Sequence, residues 1–177
     1  MFSISKLIKA SILSTFIFGN VANISPVFAQ STSGQSSQAK QVDRRYNLSF
    51  EYRGCQRANT RVTCDVVVTN FSDINRQVSF GASFPDYRTN VLDSAGNLYT
   101  SSSIQTNSYQ QGKDKALINL APGIPTKLTF NFRIPIQITE LTALDLGYRN
   151  ITQIDTFGRI TIPNIGNIST TTAAQNK

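Results

Sequence analysis

Lys127-Leu128-Thr129-Phe130-Asn131-Phe132-Arg133-Ile134 decides the fold class. Leu128, Phe130, Phe132 and Ile134 fall on one parity and Lys127, Thr129, Asn131 and Arg133 on the other. Successive side chains of an extended chain point to opposite faces, so this alternation predicts a strand with one buried and one wet face. Ala121-Pro122-Gly123-Ile124-Pro125 before it is a turn, because proline cannot donate to a ladder and glycine accepts the left-handed backbone a tight turn needs.

The same period repeats outward in both directions. Upstream, 116–120 reads as a short strand, and 46–53 puts Leu48, Phe50 and Tyr52 opposite Ser49, Glu51 and Arg53. In 61–70, Val62, Cys64, Val66 and Val68 alternate with Arg61, Thr63, Asp65 and Thr69; 76–84 brings Val78, Phe80, Ala82 and Phe84 inward until Pro85 ends it. Asp93-Ser94-Ala95-Gly96-Asn97 is a turn between strands at 88–92 and 98–104. Downstream, Leu144, Leu146 and Tyr148, then Ile160 and Ile162 in 159–162, continue the pattern. No window carries a helical period. Seven to eight short strands, each with one apolar face, require two packed antiparallel sheets, so the expectation is an all-β, immunoglobulin-like sandwich.

Two cysteines, Cys55 and Cys64, lie at the end of one strand and inside the next. In an exported chain they pair as a hairpin disulfide. Parity raises a conflict: Cys64 points inward with Val62 and Val66, whereas Cys55 shares the outward parity of Glu51 and Arg53. A β-bulge at Gly54, which adds one residue and flips the side chains that follow, resolves it.

Residues 1–29 read as a signal peptide. Lys6 and Lys9 precede an apolar run from Ala10 to Phe18 that is too short to span a bilayer, and Val27-Phe28-Ala29 suits cleavage before Gln30. Residues 30–42 are a polar linker, 43–165 the folded domain, and 166–177 a polar tail expected to be disordered. The expected location is secreted or periplasmic. The chain carries a net charge of +7, which falls to +5 without Lys6 and Lys9. Such a mild, scattered excess lacks the basic stripe of a specific nucleic-acid binder.

Histidine is absent, which removes His-dependent nucleophilic catalysis, His-ligated zinc and the usual general base near neutral pH. The acidic residues are too scattered for a paired-carboxylate site, and Asp145, between Leu144 and Leu146, faces solvent by parity. The 93–97 turn lacks the alternating acids and terminal Glu of a calcium loop. No enzyme activity, cofactor or metal is therefore expected. Asn47, Asn70, Asn150 and Asn167 each begin an N-glycosylation pattern, which a chain this rich in Asn, Ser and Thr forms by chance.

Gly54-Cys55 with Val62-Thr63-Cys64, then Val68-Thr69-Asn70, the 93–97 turn with Leu98-Tyr99, and Pro122-Gly123-Ile124-Pro125 before 128–132 together resemble small secreted bacterial immunoglobulin-like domains of the telokin-like type. The likeness covers most of 46–148. It implies an extracellular or periplasmic accessory domain and names no ligand.

Two functional readings follow. In the first, the protein is a non-catalytic binding or adhesion module of the cell surface or periplasm. Its candidate contacts are a basic patch of Arg53, Arg57 and Arg61 with Arg44 and Arg45 nearby, and three loop aromatics, Tyr87, Tyr99 and Tyr109. Anionic polysaccharide, a membrane surface or a cell-envelope protein would be its partner. In the second, it is an accessory subunit that pairs with a partner protein through a sheet edge. Plainer roles compete: the arginines as a solvated rim with surface ion pairs, the tyrosines as caps on the core edge.

Overall fold

The computed structural model describes residues 39–106, 113–152 and 156–170. The signal peptide, the cleavage site before Gln30, most of the linker, Tyr109 and the last seven residues lie outside them.

In chain order the strands are β1 (Lys40–Asp43), β2 (Leu48–Ala58), β3 (Arg61–Asn70), β4 (Arg76–Gly81), β5 (Asn90–Asp93) and β6 (Leu98–Thr100). There follow β7 (Ser103–Thr106), β8 (Lys115–Leu120), β9 (Thr126–Arg133), β10 (Glu140–Asn150), β11 (Thr156–Asn167) and β12 (Ser169–Thr170). One sheet runs β1-β2-β3-β9-β7, with β12 added to β2; the other runs β6-β5-β10-β4-β8, with β11 along the free side of β10. All pairings between strands are antiparallel except β12 on β2. The protein is the two-sheet antiparallel sandwich that the alternation requires.

The inward residues anticipated from parity form the core. Leu48, Phe50, Val62, Val66, Val68, Leu128, Phe130 and Phe132 on one sheet meet Val78, Phe80, Leu144, Leu146, Tyr148 and Ile162 on the other, and none of these fourteen exposes any surface. Tyr148 sits at the centre, with ring centroids 5.4 Å from Phe50, 5.9 Å from Tyr46 and 6.0 Å from Phe80.

At both ends of the domain the strands run past the expected 43–165. β1 begins at Lys40, inside the expected linker, and pairs Gln41 with Phe50. Asp43 anchors it: Oδ1 accepts from the backbone N–H of Arg45 at 2.9 Å and Tyr46 at 3.3 Å, while Tyr148 Oη donates to Oδ2. At the other end Ile168 is buried and Ser169–Thr170 pairs with Gln56 and Arg57, within the expected tail. Composition sees few apolar residues in these segments and is blind to backbone pairing onto a neighbour's edge.

The stretch 98–104, expected as one strand, is two. Leu98–Thr100 pairs with β5 in one sheet and Ser103–Thr106 with β9 in the other. The chain changes sheets at Ser101, which is fully buried; its Oγ donates to Ser103 O at 2.9 Å and lies 3.1 Å from Asn131 O. A buried hydroxyl satisfied by backbone carbonyls makes the switch tolerable.

Candidate functional site

The site begins with the bulge. In β2–β3, Tyr52 faces Val66 and Gly54 faces Asp65, so Arg53 is the extra residue. Gly54 has φ +115°, a conformation that L side chains rarely adopt. Beyond it parity is reversed: Cys55 lies opposite Cys64, inside, and the two form the expected disulfide with Cα atoms 4.1 Å apart.

The same flip turns Arg57 inward, where it is 6 % exposed. Its Nη1 donates to Asn59 O and Ile134 O, both at 3.0 Å, and its Nη2 donates to Ile138 O at 2.6 Å. Arg57 is thus a bracket that ties the β2–β3 tip to the connection leaving β9. A further bond, Ile134 N to Thr60 O at 2.9 Å, closes the same seam. Arg53 remains outside, 3.0 Å from Glu51. The three arginines chosen from the sequence do not form one patch, because the bulge separates them.

Arg61 gains a different companion. It is the first residue of β3 and stands directly opposite Arg133, the last of β9. Directly opposed residues share a face with Cβ atoms roughly 4.5–5.5 Å apart, and like charges there repel. Both side chains are exposed, and neither makes an ion pair or hydrogen bond among the described residues.

The pair borders a groove of about 690 Å³ whose walls are the Asn59–Thr60 tip, Ser102, Ser103, Gln105 and Asn131. Asn131 Oδ1 accepts from Thr63 Oγ1 at 3.1 Å, and its Nδ2 donates to Ser103 Oγ at 3.1 Å. One amide hydrogen of Asn131 and the hydroxyl hydrogen of Ser103 remain to donate outward. The groove is therefore rich in donors, with two guanidinium groups at one end and a rigid three-strand floor. Arg133 was legible as outward-facing from alternation, but its position beside Arg61 depends on the β3–β9 pairing, between residues far apart in sequence.

The other candidates have structural employment. Tyr87 is buried over the outer face of the second sheet, its Oη 2.8 Å from Ser79 Oγ and its ring 4.9 Å from Phe84 and 5.8 Å from Phe157. Tyr99 Oη donates to Asp93 Oδ2 at 3.0 Å. Asp93 holds the 93–97 turn closed, accepting from Ala95 N, Asn97 N and Asn97 Nδ2, each at 2.9 Å. Asn97 foremost among these donors holds the Asp93 carboxyl below its ordinary value of 3.8. With four donors already on its two oxygens, this turn offers little to a cation. Asp145 faces out and pairs with Arg159. Among the described residues no three His, Cys, Asp or Glu gather as metal ligands. Asn70 and Asn150 are buried, so two of the four glycosylation patterns are closed to a transferase.

Fold and site together define a disulfide-braced β-sandwich with a basic, donor-rich groove beside one hairpin tip. The disulfide fits an oxidising, extracytoplasmic setting. No family model and no curated protein matches the chain. Among solved structures it is similar to the self-complemented major subunit of Myf fimbriae from Yersinia enterocolitica, in complex with galactose, at 11 % identity and TM-score 0.40, covering 69 % of this chain and 98 % of that one. It is also similar to the yeast GGA1 GAE domain, at 12 % identity, TM-score 0.39 and coverage of 73 % and 99 %. A PapD-like domain of human CEP192 matches at 10 % identity, TM-score 0.37 and coverage of 87 % and 99 %.

Proposed function

We propose that the protein is an exported, non-catalytic binding module of the cell surface or periplasm, and that the groove beside the β2–β3 tip is its binding face. One observation carries this reading: Arg61 and Arg133 are held opposite each other, without a counter-charge among the described residues, at the edge of a groove where Asn131 and Ser103 keep hydrogens free to donate. Like charges in a ladder are unfavourable, and a ligand acid would relieve them. The signal-like 1–29 stretch and the disulfide support export, and the absence of histidine supports a role without chemistry.

The strand-addition reading has weaker support. β11 is the longest strand with one partner among the described strands, and it carries Pro163 and an outward Arg159, both of which obstruct an added strand. Thermal unfolding of the full chain with acidic polysaccharides, neutral polysaccharides and cell-envelope extracts tests the proposal. A binding module melts higher with at least one of them, since a ligand that binds only the folded state stabilises it. An unchanged midpoint throughout would rule the reading out.

A further inference from the structure

Resting on that binding reading, we infer that the groove takes an acidic polysaccharide, with one sugar acid group held between the guanidiniums of Arg61 and Arg133 and sugar hydroxyls along Asn131, Ser103, Ser102 and Gln105. The shared chemistry is a planar or tetrahedral oxyacid, carboxylate or sulfate ester, on a polyhydroxylated chain. Arginine suits both because its planar fork donates two parallel hydrogen bonds to paired oxygens.

Three features choose this class. First, the two cations stand side by side on adjacent strands, and the nearest acid on the same face, Asp65, is already occupied by Lys127 at 2.7 Å and Thr129 at 2.7 Å. The charge at this end of the face is left for a ligand. Second, the groove holds about 690 Å³, well beyond a single small anion and within the range of sites that enclose larger ligands. Besides Ala58, Phe132 and the two arginines its lining is hydroxyl and amide, which matches sugar hydroxyls one donor or acceptor at a time. Third, the competing anionic surfaces fit less well. No exposed lining side chain among the described residues is an apolar group larger than Ala58; Ile136, three residues beyond Arg133, is exposed but does not line the groove, and the exposed Phe71, Ile74 and Ile124 sit near the opposite end of β3, so the groove itself presents no apolar surface for a lipid layer. Nucleic acid calls for a longer cationic track or exposed aromatics on which bases stack, and the described residues of the groove supply neither.

Arg57 braces the tip beside the groove: it holds Asn59 O, in the groove wall, and Ile134 O, next to Arg133, without lining the groove itself, while the β3–β9 register sets Arg61 opposite Arg133.

The test measures affinity of the full chain for polygalacturonate, dextran sulfate and neutral dextran. Two charge-matched double variants are compared: Arg61→Gln with Arg133→Gln in the groove, and Arg53→Gln with Arg88→Gln outside it. The account expects wild type and the outer double to bind at least one of the two acidic polymers alike, and the groove double to lose about tenfold or more while melting no lower. Preference between polygalacturonate and dextran sulfate assigns the acid as carboxylate or sulfate. Equal losses in the two doubles would reduce the effect to net charge and overturn the inference. Neutral dextran binding that is indifferent to the arginines would overturn it too, yet leave a binding module in place. Absence of binding to any polymer or envelope fraction would remove both readings.

Discussion

Arg57, Tyr52 and Asp93 show how much one side chain can decide in this protein. Arg57 has exchanged water for three backbone carbonyls, so Arg57→Ala leaves those acceptors without a charged donor in a closed seam. A loss of about 2–4 kcal/mol is expected in urea unfolding, whereas Arg53→Ala, on an exposed ion pair, should change stability by less than about 0.5 kcal/mol. Equal, small effects would show that the bracket is not structural. Tyr52 is buried with its hydroxyl lacking a hydrogen-bond partner. Burial raises its pKa to about 12. A raised folded-state value means that its contribution is intact below pH 10 and fades as the pH climbs towards 12. Tyr52→Phe should be neutral or stabilising by up to about 1 kcal/mol near neutrality, with the gap widening in alkali. A destabilised Tyr52→Phe would reveal a partner. Asp93 has the opposite sign: its carboxyl is held low, so the turn's contribution is intact above the ordinary carboxylate range and is lost as the pH falls through the folded value below it. A pH–stability profile of wild type against Asp93→Ala should therefore converge on acidification, and parallel curves would contradict the assignment.

Among the elements, parity carried the sequence reading far and then stopped at interruptions. β3 was legible to the residue, as were the inward set of β9 and that of β2 up to its bulge, because each of these stretches buries one face and alternates without a break. The cysteine conflict even located the bulge, since only a flipped register lets Cys55 meet Cys64. The consequence for Arg57, three residues beyond Gly54, follows from the same flip but requires knowing that β2 continues to Ala58. The excursion between β4 and β5 was not legible. Both strands pair with β10, and the chain between them steps out over its Gly147, where a 3-10 turn at Pro85–Tyr87 lies against the sheet. A Cβ at Gly147 would overlap the carbonyl oxygen of Tyr87, a backbone atom that cannot swing aside. Gly147→Ala is expected to cost about 1–3 kcal/mol and to loosen Tyr87, read as lower thermal stability with altered tyrosine fluorescence. A variant that melts like wild type would mean the excursion is not seated on the sheet.

For the whole molecule, the fold class follows from local alternation, while the site follows from which strands become neighbours. Arg61 and Arg133 are 72 positions apart, and nothing near either residue announces the other. Alternation exposes both; only the β3–β9 register makes them a pair. The central claim is that this pair, with the donors beside it, is where the protein meets its ligand. The most direct measurement is an NMR titration that follows the arginine Nε–Hε signals as an acidic oligosaccharide, oligogalacturonate or its sulfated counterpart, is added at about 0.05 M salt, where screening leaves charge contacts a reach of more than about 10 Å. The account predicts that Arg61 and Arg133 shift together and saturably, with Arg53 and Arg88 unmoved. Uniform small shifts across all exposed arginines, or a saturable response confined to residues outside the groove, would contradict it.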